Sequence, residues 1–156
     1  MNTLLYAAIR SAQACRRVYW FIVRPKTFGV RGAVFDKDGR VALVKHTYQK
    51  GYYFPGGGVR RAEPKEATLL RELREEIGLC AWASVVHFGT YISDREYNRD
   101  TIDLFIVRDA ETAPAVNIEI QSVQFFDPGE IPPDTSAATR RRLTEIANGK
   151  QHTAAW

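Results

Sequence analysis

Residues 57–79 read "GGVRRAEPKEATLLRELREEIGL" and hold the strongest local structural signals in the 156-residue chain. Pro64 suits the first position of a helix, where its missing N–H group is not needed. Gly78 suits the left-handed residue that ends a helix. Apolar residues recur between these two at helical spacing: Leu70, Leu73 and Ile77. The pattern therefore predicts a glycine-rich loop followed by a helix that packs one face on a core.

The other face of this helix carries three carboxylates, Glu72, Glu75 and Glu76, within one turn. Like charges at this spacing repel, so a cation is needed to offset them. Arg71 and Arg74 would supply it if the cluster were an ordinary solvated salt-bridge face. The glycine-rich loop favours a different interpretation, because glycine lets the backbone approach a ligand closely. Carboxylates together with a backbone carbonyl are hard oxygen ligands of the kind that Mg²⁺ and Mn²⁺ prefer.

The same stretch resembles the sequence signature of the Nudix hydrolase family. That signature is Gly, five residues, Glu, seven residues, Arg-Glu-aliphatic, any residue, Glu-Glu, any residue, Gly-aliphatic. All of its specified positions are filled here: Gly57, Glu63, Arg71, Glu72, Leu73, Glu75, Glu76, Gly78 and Leu79. The surrounding strands extend the resemblance from about Thr27 to residue 156. It implies an α+β fold, an α/β/α sandwich with a mixed β-sheet, and hydrolysis of the diphosphate linkage in a nucleoside diphosphate derivative.

The resemblance also implies roles for individual residues of the candidate site. Glu72, Glu75 and Glu76 would bind Mg²⁺ or Mn²⁺, with the carbonyl of Gly56 as a further ligand. Arg71 would hold these glutamates in place together with Glu63, while Gly57 and Gly78 would shape the backbone around them.

A general base would take a proton from the attacking water in this reaction. Glu75 and Glu76 are candidates inside the signature. Glu119 is a candidate outside it, because it precedes a predicted strand at a place where members of the family often present such a glutamate. A solvated charge at the end of a strand is an equally good interpretation of Glu119.

The rest of the chain from Thr27 onward reads mainly as strands. They are predicted at residues 27–35, 40–46, 52–54, 82–93, 101–109 and 120–126. Asp38-Gly39 predicts a hairpin turn between the first two strands. Residues 134–148 read as a second helix, with Asp134 or Thr135 as its N-cap and Gly149 after its end.

Charge divides the chain into two regions, a basic arm at residues 1–26 and a domain at residues 27–156. The net charge is +4, but residues 1–26 hold five basic residues and no acidic ones, which leaves 17 basic against 18 acidic residues in the remainder. The arm is predicted to be a helix or strand that packs on the domain or on a second subunit of a homodimer. Attachment to an anionic membrane surface is the alternative, and binding of nucleic acid is not favoured.

Composition places the chain among soluble globular proteins, with 45% hydrophobic and 26% charged residues. No apolar stretch approaches the roughly 20 residues that span a bilayer. Cys15 and Cys80 match no metal or redox spacing, so we expect a reducing cytoplasm as the compartment.

Substrate selection is predicted to lie in the polar loop "YISDREYNRD". Its aromatic rings would stack on a base and its arginines would bind phosphate oxygens. The candidates are Tyr91, Arg95, Tyr97 and Arg99. Two functions other than nucleotide hydrolysis stay open: a nucleotide-binding or regulatory module without turnover, and a pyrophosphohydrolase of RNA 5′ ends.

Overall fold

A computed structural model of the chain describes residues 27–93, 100–115 and 118–156. Within these ranges the chain forms eight strands and two helices. In order they are β1 (Thr27–Val34), β2 (Val41–His46), β3 (Tyr52–Tyr53), α1 (Lys65–Ile77), β4 (Leu79–Ala81), β5 (Ser84–Ser93), β6 (Asp100–Arg108), β7 (Glu111–Thr112), β8 (Ile120–Phe126) and α2 (Ala137–Ala147). No helix in the described ranges is long and apolar enough to cross a lipid bilayer. The basic arm lies outside these ranges, so its predicted helix and packing stay predictions.

The strands are arranged in two three-stranded sheets and one short pair. The first sheet has the order β1-β6-β5, in which β1 runs parallel to β6 and β6 runs antiparallel to β5. The second sheet, β3-β2-β8, is antiparallel, and β4 pairs with β7. The predicted mixed sheet is therefore confirmed in the first of these sheets.

Helices α1 and α2 pack on opposite faces of the strands. Strands β1 and β2 are buried on both faces, so their alternate residues enter two different hydrophobic clusters. The cluster under α1 contains Val30, Val34, Ala42, Val44, Leu69, Leu73 and Ile77. The cluster under α2 contains Ala33, Phe35, Val41, Leu43, Phe54, Tyr91, Leu104 and Leu143. This layering confirms the predicted α/β/α sandwich.

Helix α1 forms as predicted, because its start and stop signals are local. Pro64 occupies the N-cap position with an extended backbone, one residue before the first helical residue. Gly78 ends the helix in the left-handed conformation with φ +66°, and its N–H donates to the carbonyl of Leu73. The buried stripe also includes Leu69, which is fully buried, whereas the predicted Leu70 is only partly buried.

The N-cap predicted for the second helix is wrong. Ser136 is the N-cap of α2, and its hydroxyl oxygen accepts a hydrogen bond from the N–H of Thr139 at 3.1 Å. Asp134 lies in a turn and Thr135 forms a bridge with Tyr52, whose N–H donates to the carbonyl of Asp134. Tertiary pairing thus selects one of three consecutive residues that could each cap a helix.

The predicted hairpin between the first two strands forms only as a turn. The N–H of Asp36 donates to the carbonyl of Arg40 at 3.0 Å, and Gly39 adopts φ +79° at the turn. Beyond one bridge between Phe35 and Val41, the two strands diverge into different sheets. The turn therefore connects the two sheets of the sandwich.

Candidate active site

The glycine-rich loop lies against β1 and is fixed there by backbone hydrogen bonds. The N–H of Val30 donates to the carbonyl of Gly57 at 2.9 Å, and the N–H of Gly32 donates to the carbonyl of Pro55 at 2.9 Å. Gly56 adopts φ +139°, and a Cβ at this position would overlap the carbonyl of Val30. A Cβ on Gly57 would overlap the carboxylate of Glu72. The two glycines therefore allow a helix carboxylate to lie directly on the loop backbone.

Arg71 connects the loop before α1 to the glutamates of the helix. Its Nε and Nη2 donate to the two carboxylate oxygens of Glu63 at 2.9 and 3.1 Å. Its Nη1 donates to Glu72 Oε1 at 2.7 Å and lies 3.5 Å from Glu75 Oε2. The hydrogen bonds from Arg71 lower the pKa of Glu63 to about 2. This fork holds the carboxylates of three residues around one guanidinium group.

The carboxylate of Glu76 is buried behind the glycine-rich loop. Its Oε2 accepts a hydrogen bond from the N–H of Gly56 at 2.8 Å, and the residue is only 8% exposed. Burial raises the pKa of Glu76 to about 7, opposed by the Gly56 N–H and by the positive charge of Arg31. Such a carboxyl group changes its charge near neutral pH, a property that structural carboxylates on a surface lack.

Arg31 is a member of the site that the sequence patterns did not identify. It lies on β1, and its Nη1 donates to the carbonyl of Val30 at 2.8 Å. Burial lowers the pKa of Arg31, against the attraction of the nearby Glu76 and Glu72 carboxylates. The sequence does contain one indication, an arginine within the apolar segment "GVRGAVF". Strand alternation, however, assigns this arginine to the solvent face.

A cleft of about 640 Å³ collects these groups. Its lining includes Arg31, the loop residues Gly56, Gly57 and Gly58, and the side chains of Glu72 and Glu76. Among the described residues the lining leaves out Glu75, whose side chain is 52% exposed. The cleft thus combines an acidic floor, a glycine-rich loop and the guanidinium of Arg31.

The family model for the NUDIX domain matches residues 25–145, which is more than half of the chain. The chain belongs to the Nudix family. The resemblance stated from residues 57–79 is thereby confirmed. Solved Nudix structures share the fold at low sequence identity. The MutT NUDIX hydrolase from Burkholderia pseudomallei is 22% identical with a TM-score of 0.68, over 78% of this chain and 98% of that one. A NUDIX hydrolase from Nitrosomonas europaea is 16% identical with a TM-score of 0.69, over 81% and 92% of the two chains.

Two curated relatives match shorter stretches of this Nudix chain. An RNA pyrophosphohydrolase from Hydrogenovibrio crunogenus is 41% identical over 46 residues, which is 30% of this chain and 28% of the relative. An RNA pyrophosphohydrolase from Hahella chejuensis is 36% identical over 55 residues, or 35% and 34% of the two chains. The chain covers about a third of the length of these curated relatives.

Glu119 immediately precedes β8 and lines the Nudix cleft. Its carbonyl accepts a hydrogen bond from the N–H of Thr47 at 2.9 Å, which fixes the backbone beside the end of β2. The residue lines the cleft, and its negative charge contributes to the raised pKa of Glu76 after burial. The location suits a base or a metal ligand, and the choice between these roles stays a prediction.

The substrate contact predicted for Tyr91 is wrong. Its ring is fully buried, and its hydroxyl donates to Glu145 Oε2 at 2.9 Å. The ring packs against the guanidinium of Arg142 and the indole of Trp156. No face of the ring is left for a base to stack on. The other three predicted contacts, Arg95, Tyr97 and Arg99, lie outside the described residues.

The donor chemistry of the Nudix site fits a hard divalent cation. Glu72, Glu76 and Glu119 all line the cleft and offer only oxygen ligands. A cation near Glu76 would stabilise a carboxylate that burial otherwise destabilises. Over the ranges that the structure describes, however, no three acidic, histidine or cysteine side chains converge around a metal position. Arg71 contacts Glu72 and Glu75, so a cation would compete with this arginine for their carboxylates.

Proposed function

We propose that this Nudix protein is a metal-dependent pyrophosphohydrolase that cleaves the diphosphate linkage of a nucleoside diphosphate derivative by attack of water at phosphorus. The observation that carries the proposal is the carboxylate pair Glu72 and Glu76 on the floor of a cleft that also contains Arg31. Anionic side chains alone would repel a diphosphate. Their placement beside the guanidinium of Arg31 is expected where a cation lies between carboxylates and phosphates.

The ligands of Mg²⁺ or Mn²⁺ in this proposal are Glu72, Glu75, Glu76 and the carbonyl of Gly56. When bound, the cation supplies positive charge to the diphosphate and lowers the pKa of water. Glu63 and Arg71 act as positioning residues, because their fork fixes the glutamate carboxylates and neither side chain lines the cleft. Gly57 and Gly78 keep the loop and the end of α1 in the conformations that this arrangement needs.

The remaining steps fall to side chains of the cleft. The guanidinium of Arg31 would bind phosphate oxygens in a fork and stabilise negative charge that grows during attack. Glu119, Glu75 or Glu76 would accept the proton of the attacking water. Of these three, Glu76 and Glu119 line the cleft.

A substrate panel tests the proposal directly. Nucleoside triphosphates, nucleotide sugars, ADP-ribose, dinucleoside polyphosphates and 5′-triphosphorylated RNA are each incubated with Mg²⁺, Mn²⁺ or chelator. We expect cleavage of one class that requires metal and falls about a hundredfold or more in Glu72→Gln and Glu76→Gln. Glu66→Gln, an exposed change in the first turn of the same helix, is the matched control. Wild-type turnover in either site variant would contradict the assigned roles.

RNA 5′ ends are a second candidate substrate, favoured by the names of the two curated relatives. The five basic residues of the N-terminal arm would contact the phosphate backbone. Binding through such contacts weakens linearly in log affinity with log salt, so the slope separates RNA from a small nucleotide. Tight nucleotide binding without any turnover would instead support a regulatory module. A homodimer and a cytoplasmic location stay predictions.

A further inference from the structure

Residues 150–156 form a strap that lies along the end of β5. The N–H of Ile92 donates to the carbonyl of Ala154 at 2.7 Å, and the N–H of Trp156 donates to the carbonyl of Ile92 at 2.8 Å. The pairing is parallel, with a bridge between Ile92 and Ala155. The strap thus extends the first sheet by a short additional strand next to the cleft.

Side chains of helix α2 hold the strap from a second direction. Arg141 Nη2 donates to the carbonyl of Trp156 and Arg142 Nη1 donates to the carbonyl of Ala155, both at 2.7 Å. Glu145 Oε1 accepts a hydrogen bond from the N–H of His152 at 3.1 Å. The strap is therefore fixed by the charged groups of α2 as well as by β5.

The ion pair beneath the strap is buried, and both of its residues also form hydrogen bonds to the strap. Arg142 and Glu145 are 0% and 3% exposed, and Arg142 Nη2 lies 3.1 Å from Glu145 Oε1. A buried ion pair often stabilises a fold less than apolar residues of the same size would. Both partners use hydrogen bonds on the strap, so the pair specifies where the strap lies.

The result of this anchoring is the position of the Trp156 indole. The ring packs edge-on against Tyr91, with centroids 5.6 Å apart and an interplanar angle of 68°. It is only partly buried and lines the same cleft as Glu72 and Glu76. Tyr91, which the sequence placed at the substrate, thus supports an aromatic ring that lies at the cleft itself.

We propose that Trp156 forms the wall of the cleft that contacts the base of the nucleoside. This inference rests on the proposed function and names the residue that selects its substrate class. The acidic floor and Arg31 suit a diphosphate with its cation, whereas a held indole offers a flat apolar face that suits a planar base. Two tyrosine rings of the cleft compete with Trp156 for this role. Tyr48 is 64% exposed and packs on the ring of His46, and Tyr53 is partly buried beside the same histidine. Trp156 is instead held by β5, α2 and Tyr91.

Binding of non-hydrolysable probes tests this role. The probes are the α,β-methylene diphosphates of adenosine, guanosine, cytidine and uridine, with methylenediphosphonate as the probe that lacks a base. In a Trp20→Phe/Trp82→Phe protein, Trp156 is the remaining tryptophan of the chain. We expect at least one nucleoside probe to quench its fluorescence to saturation, and methylenediphosphonate to leave it unchanged.

Calorimetry on variants measures how much Trp156 contributes to the affinity for each probe. In Trp156→Ala, the Kd of the quenching nucleoside probe should rise about tenfold, equivalent to about 1.4 kcal/mol, while the Kd of methylenediphosphonate stays within twofold. Trp156→Phe should lie between wild type and Trp156→Ala, because it keeps a ring against Tyr91. Trp82→Ala removes a tryptophan that packs on Arg74 away from the cleft, and it is the matched control.

Three results would overturn the inference: equal nucleoside affinity in wild type and Trp156→Ala, an equal loss for both kinds of probe, or a loss confined to Tyr48→Ala. The outcome is separable from that of the proposed function. Trp156-dependent binding without turnover of any substrate would refute the hydrolase and leave the base contact standing. Normal turnover with an unchanged KM in Trp156→Ala would refute only the base contact.

Discussion

The carboxylate of Glu76 is buried, and within the described part of the chain the backbone N–H of Gly56 is its hydrogen-bond donor. Transfer of a charged group out of water costs free energy, and the raised pKa of this residue expresses that cost. Under the proposed function, this carboxylate is stabilised when the cation binds. In the absence of metal, Glu76 should therefore make the folded protein sensitive to pH.

The first prediction concerns this sensitivity in chelator-treated protein. The pKa of Glu76 is raised from 4.5 in the unfolded chain to about 7 in the folded protein. Between these values the folded state binds more protons than the unfolded state, so the free energy of unfolding falls as pH rises. The contribution of this residue is at most about 3 kcal/mol. Its stabilising effect is fully present below pH 4.5 and lost above pH 7.

Urea unfolding from pH 4 to pH 8 measures this contribution. Glu76→Gln should flatten the fall in the free energy of unfolding, and Glu66→Gln should retain it. Addition of Mg²⁺ at pH 7.5 should stabilise the wild type more than Glu76→Gln. If the free energy of unfolding depends on pH in the same way in wild type and Glu76→Gln, burial does not raise the pKa of this carboxyl group.

Helix α1 positions the glutamates of the site because both of its ends are fixed. Gly78 ends the helix two residues after Glu76, with φ +66°, and a Cβ there would overlap the carbonyl of Ala113. Gly149 follows α2 with a similar φ of +71°, but no atom lies within 4 Å of its added Cβ. The two glycines share a left-handed φ and differ in how closely other atoms surround them.

The second prediction uses this difference. Gly149→Ala should lower the free energy of unfolding by about 1 kcal/mol, since only the left-handed conformation of a non-glycine residue is penalised. Gly78→Ala should lower the free energy of unfolding by more than about 2 kcal/mol. The same conformational penalty applies here, and the added Cβ also displaces the backbone of Ala113. Gly78→Ala should also reduce activity, since the end of α1 carries Glu75 and Glu76. Chemical unfolding of both variants is the measurement, and equal losses would contradict the steric argument.

The elements also show which features a sequence can predict. Helix α1 is encoded by Pro64, Gly78 and the spacing of its leucines, all of which act locally. The start of α2 is not, because pairing of Asp134 and Thr135 with β3 delays the helix to Ser136. Arg31 was missed because strand alternation indicates which face a residue occupies and not whether that face is a cleft.

The Arg142–Glu145 pair joins α2, β5 and the strap, which come from three separate stretches of the chain. Removal of one partner leaves the other as a buried charge without compensation, which typically costs about 3–5 kcal/mol. Replacement of both by apolar residues of similar volume removes that penalty. Variants of this pair therefore show whether the ion pair itself or side-chain packing stabilises the contact between α2, β5 and the strap.

The third prediction is that the double variant Arg142→Met/Glu145→Leu is more stable than the single variant Glu145→Leu. Chemical unfolding supplies the free energies for a double-mutant cycle. Glu111→Ala, which breaks an exposed ion pair with Lys37, serves as the surface control. It should lower the free energy of unfolding far less than Glu145→Leu does. Additive losses from the two single changes would show that Arg142 and Glu145 act independently.

The parallel pairing of β1 with β6 has a consequence for how the protein is made. Thr27 pairs with Asp100, 73 residues later in the chain. At about 5–20 residues per second, a ribosome needs roughly 4–15 s to synthesise that interval. During this time the nascent β1 already has the glycine-rich loop available on one edge, while its other edge awaits a partner that has not yet been translated. Helix α1, which carries the glutamates, is thus synthesised before β6 is available to pair with β1.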